Sequence, residues 1–279
     1  MKLYATSDLH LGFAENQKLL GTLRSHLQDW LIVAGDLTEQ EPHFASSLRA
    51  LTSRFQRVIW VPGNHDLWTV PTHADGLRGE AKYQHLVRIC RDLGVLTPED
   101  EYVAWPGEGP AVVLAPIFLL YDYSFRADHL NQAQALALAR ESGSTCADEE
   151  LLFPDPHPSR QDWCAARCGW TEARLSAIPA GTGTVLVNHF PLRREHAILP
   201  AIPHFTPWCG TRRSEDWHLR FRAQVVVYGH LHIRGTRWLD GVRFEEVSLG
   251  YPRQWQRWGA RSLEDHLCEI LPGPVLGSR

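Results

Sequence analysis

Several things are missing from this sequence, and each absence narrows what it encodes. No stretch approaches the roughly 18 uninterrupted apolar residues of a membrane span, and the opening Met-Lys-Leu-Tyr-Ala-Thr-Ser-Asp lacks the apolar centre of a secretory leader. A membrane role is therefore not expected. Neither sign of charge prevails: 28 Lys and Arg against 32 Asp and Glu leave a net −4, with the two signs interspersed. There is no polybasic arm and no acidic tail, so nothing favours a polymeric nucleic acid as partner. A nucleotide or other small phosphoester stays open as a substrate, because bound metals neutralise phosphate locally. Cysteine is scattered, six in 279 residues, without finger-like pairs. Cys164 and Cys168 are four apart in a predicted helix, but no second Cys/His pair accompanies them. Reduced thiols and a cytoplasmic location are the expectation. Internal repeats and low-complexity tracts are absent as well.

What is present is 44% hydrophobic residues, enough for one large core. Short runs rich in β-formers end abruptly in polar residues. Residues 2–7 lead into Asp8, 30–34 into Gly35-Asp36, and 57–61 into Pro62-Gly63-Asn64-His65-Asp66. Further on, 184–187 lead into Asn188-His189 and 224–228 into Gly229-His230. Near-continuous apolar strands suit sheets buried on both faces. Helix-like stretches at 14–28, 42–55 and 81–93 give a β-α-β-α-β opening. Strands of a second sheet are predicted at 102–105 and 111–116, a hairpin at 234–238 and 242–248, and a last strand at 266–271. Residues 1–279 read as one domain, with a helical insertion or cap at about 119–180 and a long active-site loop at about 191–216.

The polar residues sit just past the carboxyl ends of strands, the edge where open α/β sheets bind ligands. Set in order they are Asp8-x-His10, Gly35-Asp36, Gly63-Asn64-His65-Asp66, His189 and Gly229-His230-x-His232. Singly these are ordinary: Asp36 could cap a helix, Gly63-Asn64 could be a turn, and each histidine could be a satisfied core residue. With 15 histidines, one His-x-His is expected by chance, whereas Gly-Asn-His-Asp arises in only about one such chain per thousand by counting template matches. All five motifs in order, each at a strand end, are not coincidence. Imidazoles with carboxylates favour Mn, Fe, Zn or Ni over Mg or Ca. A carboxylate such as Asp36 can bridge two ions, and an Asn carbonyl adds a ligand without adding charge.

The set resembles the five-motif signature of calcineurin-like metallophosphoesterases, D-x-H, G-D, G-N-H-D/E, H and G-H-x-H, over the chain from Asp8 to His232. The resemblance implies a four-layer α/β/β/α sandwich, with two mixed β-sheets flanked by helices and two divalent metal ions at one edge. It implies that Asp8, His10 and His232 hold one metal, that Asn64, His189 and His230 hold the other, and that Asp36 bridges them. It makes His65 the acid for the leaving group, with Asp66 orienting it. The reaction implied is in-line attack on phosphorus by a hydroxide bridging the metals.

Arg193, His196 and Trp208 in or beside the long loop are the candidate substrate-binding residues; Arg126 and Arg194 are weaker phosphate candidates. Trp68 reads as core or staple. The protein phosphatases of the superfamily extend the second motif as G-D-x-V-D-R-G, whereas this chain has Gly35-Asp36-Leu37-Thr38-Glu39-Gln40 without the arginine. That departure argues against a protein phosphatase, and the resemblance alone favours a phosphodiesterase acting on a small molecule or nucleotide. The alternatives are a phosphomonoesterase or nucleotidase, then a nuclease, then a non-catalytic scaffold.

Overall fold

The computed structural model describes residues 1–70, 76–259 and 262–274. Its strands are β1 (Leu3–Thr6), β2 (His26–Val33), β3 (Phe55–Trp60), β4 (Val103–Ala104), β5 (Val112–Pro116), β6 (Gly183–Val187), β7 (Ala223–Tyr228), β8 (Gly235–Leu239), β9 (Val242–Glu246) and β10 (Cys268–Leu271). Its helices are α1 (Ala14–Thr22), α2 (Glu41–Thr52), α3 (Asn64–Leu67), α4 (Gly79–Asp92), α5 (Gln132–Glu141), α6 (Asp148–Leu151), α7 (Arg160–Ser176), α8 (Trp217–Arg220) and α9 (Pro252–Trp255).

The strands pair into two sheets, ordered β10-β1-β2-β3 and β4-β5-β6-β7-β9-β8. β1, β2 and β3 are parallel, as are β5, β6, β7 and β9, while the edges β10, β4 and β8 run antiparallel. Because side chains alternate along a strand, every second residue turns inward. Leu3, Ala5, Trp30, Ile32, Ala34, Ile59 and Val61 from the first sheet pack with Leu114, Val185, Val187, Val225 and Val227 from the second in one dry layer. The intervening residues Leu31, Val33, Val58, Trp60, Leu186 and Val226 belong to the cluster that includes Leu48, Leu86, Trp163 and Leu175 on the helices. Each fully buried aliphatic contributes about 1.5–3 kcal/mol, so burial on both faces is what makes these strands continuous apolar runs. The result is the four-layer α/β/β/α sandwich of two mixed sheets.

Two predicted helices end early. The one expected over 14–28 stops at Thr22, because His26 already pairs with Phe55 in the sheet. The one expected over 42–55 stops at Thr52 for the same reason, since Phe55 opens β3. The stretch 119–180 supplies α5, α6 and α7 as the crossover between parallel strands β5 and β6. Ser159 and Asn131 cap α7 and α5, each accepting an N–H bond from the third residue of its helix. Cys164 and Cys168 are buried on α7 with sulfurs 4.0 Å apart, and all six cysteines are free thiols. The loop 191–216 holds three 3-10 turns, Arg194–His196, Pro203–Trp208 and Arg212–Ser214.

The carboxyl ends of the two sheets are stitched together. The Ser7 N–H donates to the Val247 carbonyl at 3.1 Å, and the Leu249 N–H to the Ser7 carbonyl at 2.8 Å. This brings the loops after β1, β2, β3, β6 and β7 to one edge.

Candidate metal centre

Five residues at this edge, Asp8, His10, Asp36, His230 and His232, have positive φ between 41° and 69°. For residues with side chains that conformation costs on the order of 1–3 kcal/mol each, and it persists only where the surroundings enforce it. Here backbone bonds do so, including His10 N–H to Asp36 O at 3.0 Å and Gly250 N–H to Asp8 O at 3.1 Å. The left-handed turn aims each side chain off the strand end into a common space. Gly63 lets that space close: a Cβ there would lie 2.0 Å from Asp36 Oδ1. Gly229 has the same role at Asp8, with its Cβ position 2.3 Å from Oδ2.

The groups so gathered are nearly all buried. Asp8, His10 and His232 present ligand atoms within 4.8 Å of one another, as do Asp8, Asp36 and His189, and also His10, Asp36 and His65. His232 Nε2 is 2.9 Å from Asp8 Oδ1 and 3.2 Å from His10 Nε2. His189 Nε2 is 3.4 Å from Asp36 Oδ2 and 3.1 Å from Asn64 Oδ1, and His230 Nδ1 is 3.2 Å from the same Asn64 oxygen.

The outer nitrogens of three imidazoles are each committed elsewhere. His10 Nδ1 meets Glu39 Oε1 at 2.9 Å, His189 Nδ1 meets Ala34 O at 2.8 Å, and His232 Nδ1 meets Gln254 Oε1 at 2.9 Å. A proton on Nδ1 in each case leaves Nε2 with its lone pair turned inward, the usual arrangement around a metal-binding histidine. His230 Nε2 is buried without a hydrogen-bond partner among the described residues. The nitrogen of His230 turned to the Asn64 oxygen is Nδ1, so that is the atom positioned to share an ion with it. On these grounds the donor set fits a pair of divalent ions.

Charge at the site is self-compensating. Burial works against the Asp8 anion, but His232, His189 and His10 hold its carboxyl well below the usual range. Burial likewise opposes the Asp36 anion, yet His189 and His65 bring that carboxyl down to about 2. His189 is lowered by burial and raised more by Asp36 and Asp8, up to about 10. His230, by contrast, is pushed down to about 3 by burial and by the charge on His189.

His65 stands at the mouth of this cluster. Its Nδ1 is 2.9 Å from Glu39 Oε1, its Nε2 is 3.9 Å from Asp36 Oδ2, and the Trp68 ring covers it at 3.6 Å between centroids. Burial lowers its pKa, while Asp36 and Glu39 raise it more, so the net shift is upward. A cleft of about 840 Å³ opens beside it, lined by Phe13, Glu39, Trp68, Tyr251, Pro252 and Arg253.

Five sequence expectations need correction. Asp66, predicted to orient His65, has its oxygens committed to the backbone N–H groups of Asp36, Leu37, Thr38 and Gly63 at 2.9–3.2 Å. It holds the second and third motifs together, and Glu39 takes the orienting position. Arg193 is paired with Glu195 at 2.8 Å and lies 3.3 Å from His218, because the loop folds back on the β8–β9 side. His196 is buried against Phe244 and stacks on Tyr228, and Trp208 is buried with its indole N–H donated to Glu149 at 2.7 Å. None of these three lines the cleft. Trp68, read as core or staple, does line it.

Sequence reasoning missed Glu39, Tyr251, Gln254 and Asp148. Glu39 was visible only as the residue three past Asp36. Tyr251 stacks on His10 at 4.6 Å and 23°, and no motif marks it.

The chain belongs to the calcineurin-like phosphoesterase family, whose model matches residues 1–234. It is similar to the acyl-carrier-protein phosphodiesterase PptH of Mycobacterium tuberculosis (strain ATCC 25618 / H37Rv), 46% identical over 274 residues that make up 98% of this chain and 84% of that protein. Among solved structures it is similar to the crystal structure of phosphopantetheinyl hydrolase (PptH) from Mycobacterium tuberculosis, with a TM-score of 0.93 and 46% identity, covering 98% of this chain and 96% of that one. The chain is accordingly a metal-dependent phosphoester hydrolase, and the diesterase preference drawn from the family resemblance accords with PptH. No helix among the described residues is long and apolar enough to cross a membrane.

Proposed function

We propose that the chain hydrolyses the phosphodiester joining a phosphopantetheinyl group to an acyl carrier protein, so that its substrate is protein-borne rather than a small molecule or nucleotide. In this reading Asp8, His10 and His232 hold one divalent ion, Asn64, His189 and His230 hold the other, and Asp36 lies between. One observation carries the metal assignment: three imidazoles with outer nitrogens tied down and inner nitrogens turned toward buried carboxylates. The mixed imidazole–carboxylate set favours Mn, Fe, Zn or Ni, and the free thiols accord with a cytoplasmic setting. Bound there, two such ions supply Lewis-acid activation of the phosphoryl group and a supply of hydroxide at neutral pH.

The chain's own residues do the rest. Glu39 accepts the Nδ1–H of His65 and so turns Nε2 toward the site; in the imidazolium form that Nε2 carries the proton for the departing oxygen. Its negative charge and that of Asp36 keep His65 protonated further up the pH scale. Water gives up a proton to solvent as its oxygen bonds phosphorus, the P–O bond to the carrier-protein hydroxyl breaks, and that oxygen takes the His65 proton, which solvent then restores. The cleft walled by Phe13, Trp68, Tyr251 and Pro252 receives the organic portion next to His65. Positional control of this kind matters because catalysis at phosphorus is mostly orientation and charge stabilisation.

The test incubates phosphopantetheinylated carrier protein with the enzyme and Mn, then reads intact mass. Conversion to the unmodified carrier protein, faster than turnover of a chromogenic monoester, is the expected result. No loss of the phosphopantetheinyl group under conditions where the monoester is hydrolysed would end this reading.

A further inference from the structure

We infer that Asp148 is a positioning residue, through which the inserted helical stretch between β5 and β6 fixes the orientation of the Asn64 carboxamide. The inference goes beyond the proposed reaction but rests on Asn64 being a metal ligand. Asp148 opens the four-residue helix α6 and is fully buried, 84 positions from Asn64. Its Oδ1 accepts from Asn64 Nδ2 at 2.9 Å and from Trp68 Nε1 at 2.6 Å.

A carboxamide is nearly symmetric in shape, and its two ends differ only in chemistry: one oxygen accepts, one nitrogen donates. With the nitrogen turned inward, Asn64 would present N–H groups to His189, His230 and a cation, and could ligate nothing. An acceptor on the outer side selects the productive rotamer, because the reversed amide would set its oxygen against the Asp148 carboxylate. The bond made in one rotamer and the oxygen–oxygen repulsion met in the other settle the choice. The same oxygen holds the Trp68 indole over His65, so one carboxylate orders a ligand and the cleft wall together.

The surroundings hold α6 rigidly in place. Thr69 N–H donates to Leu151 O at 2.9 Å, returning from the motif loop to the same helix. Arg160 of α7 donates to Leu152 O at 2.8 Å and to Asp148 O at 2.5 Å. Glu149 accepts from Trp208 at 2.7 Å and from the Tyr123 hydroxyl at 2.9 Å. The other Asp148 oxygen, Oδ2, is buried with no partner among the described residues.

The experiment titrates Mn into metal-stripped wild type, Asp148→Ala, Asp148→Asn and Asn64→Ala, reading bound metal per chain after equilibrium dialysis and folding by circular dichroism. Loss of an outer partner of a ligand usually lowers metal affinity 10–100-fold, so D148A should weaken one of the two sites by that factor. D148N keeps a carbonyl oxygen able to accept from both donors and should stay within about threefold of wild type on the same scale. A folded D148A that binds both metals like wild type overturns the inference, while N64A losing a metal would show that the ligand assignment stands. A folded D148N as weak as expected for D148A also overturns it, so the test survives a D148A that fails to fold. If N64A binds both metals normally, the ligand assignment itself fails.

Discussion

Replacing Glu39 by Gln probes the least obvious part of the site. One oxygen, Oε1, lies 2.9 Å from Nδ1 of His10 and 2.9 Å from Nδ1 of His65, and the side chain is only 18% exposed. Burial opposes its anion, but the bonds from His10 and His65 hold its carboxyl well below the usual range. Glutamine retains the shape and an acceptor oxygen but removes the charge. Each charge-assisted bond contributes about 1.5–3 kcal/mol, and reducing it to a neutral bond of about 0.5–1.5 kcal/mol leaves a deficit of roughly 1–2 kcal/mol per histidine. At 1.36 kcal/mol per decade, that is about 5–30-fold for each. The two deficits are separable by metal concentration. The His10 part weakens metal binding and is recovered when Mn is saturating. The His65 part lowers kcat and is not. Steady-state kinetics with carrier protein across a Mn titration should therefore show a raised metal requirement and a residual loss of about 5–30-fold at saturation. Full recovery of kcat by Mn would refute the claim that Glu39 orients His65. An unchanged metal requirement would refute its hold on His10.

Removing the acid itself should expose leaving-group dependence. His65→Asn is expected to slow cleavage of an alkyl diester by about 10²–10⁴-fold while affecting a nitrophenyl diester much less, since nitrophenolate leaves without a proton; equal losses on both substrates would contradict the assignment. Metal binding should release protons, because His189 in the metal-free protein is held up to about 10 and carries a proton at neutral pH that a cation must displace. Apparent affinity is then expected to rise with pH through the neutral range, with proton release visible as a buffer-dependent heat of binding; a flat pH dependence would count against it. Gly63→Ala should cost about 1–3 kcal/mol by overpacking and lower Tm, because its Cβ would fall 2.0 Å from Asp36 Oδ1. A metal-loaded G63A with wild-type Tm would show that the close approach is not required. Stripping metal with a chelator should also lower Tm, by an amount that grows with the logarithm of the Mn concentration of the reference sample.

The sequence alone determined the strand ends and the chemistry placed on them. Apolar runs buried on two faces stop where Asp8, Asp36, Asn64, His189 and His230 begin, and that pattern is local. Strand propensity, glycine at close approaches and short motif spacings all act within a few residues, so they can be read without knowing what packs where. The helix ends near 22 and 52 were less legible, because pairing of His26 and Phe55 across strands overrode helical pattern. What the tertiary structure decided is which groups serve those side chains. Glu39 reaches His10 and His65 across 29 and 26 positions, Asp148 reaches Asn64 across 84, and Gln254 reaches His232 across 22. Arg193, a phosphate candidate by residue type, is instead paired with Glu195 two residues on. Hydrogen bonds and ion pairs between distant segments depend on direction and on distances of about 3 Å, and no period or spacing in a sequence encodes either.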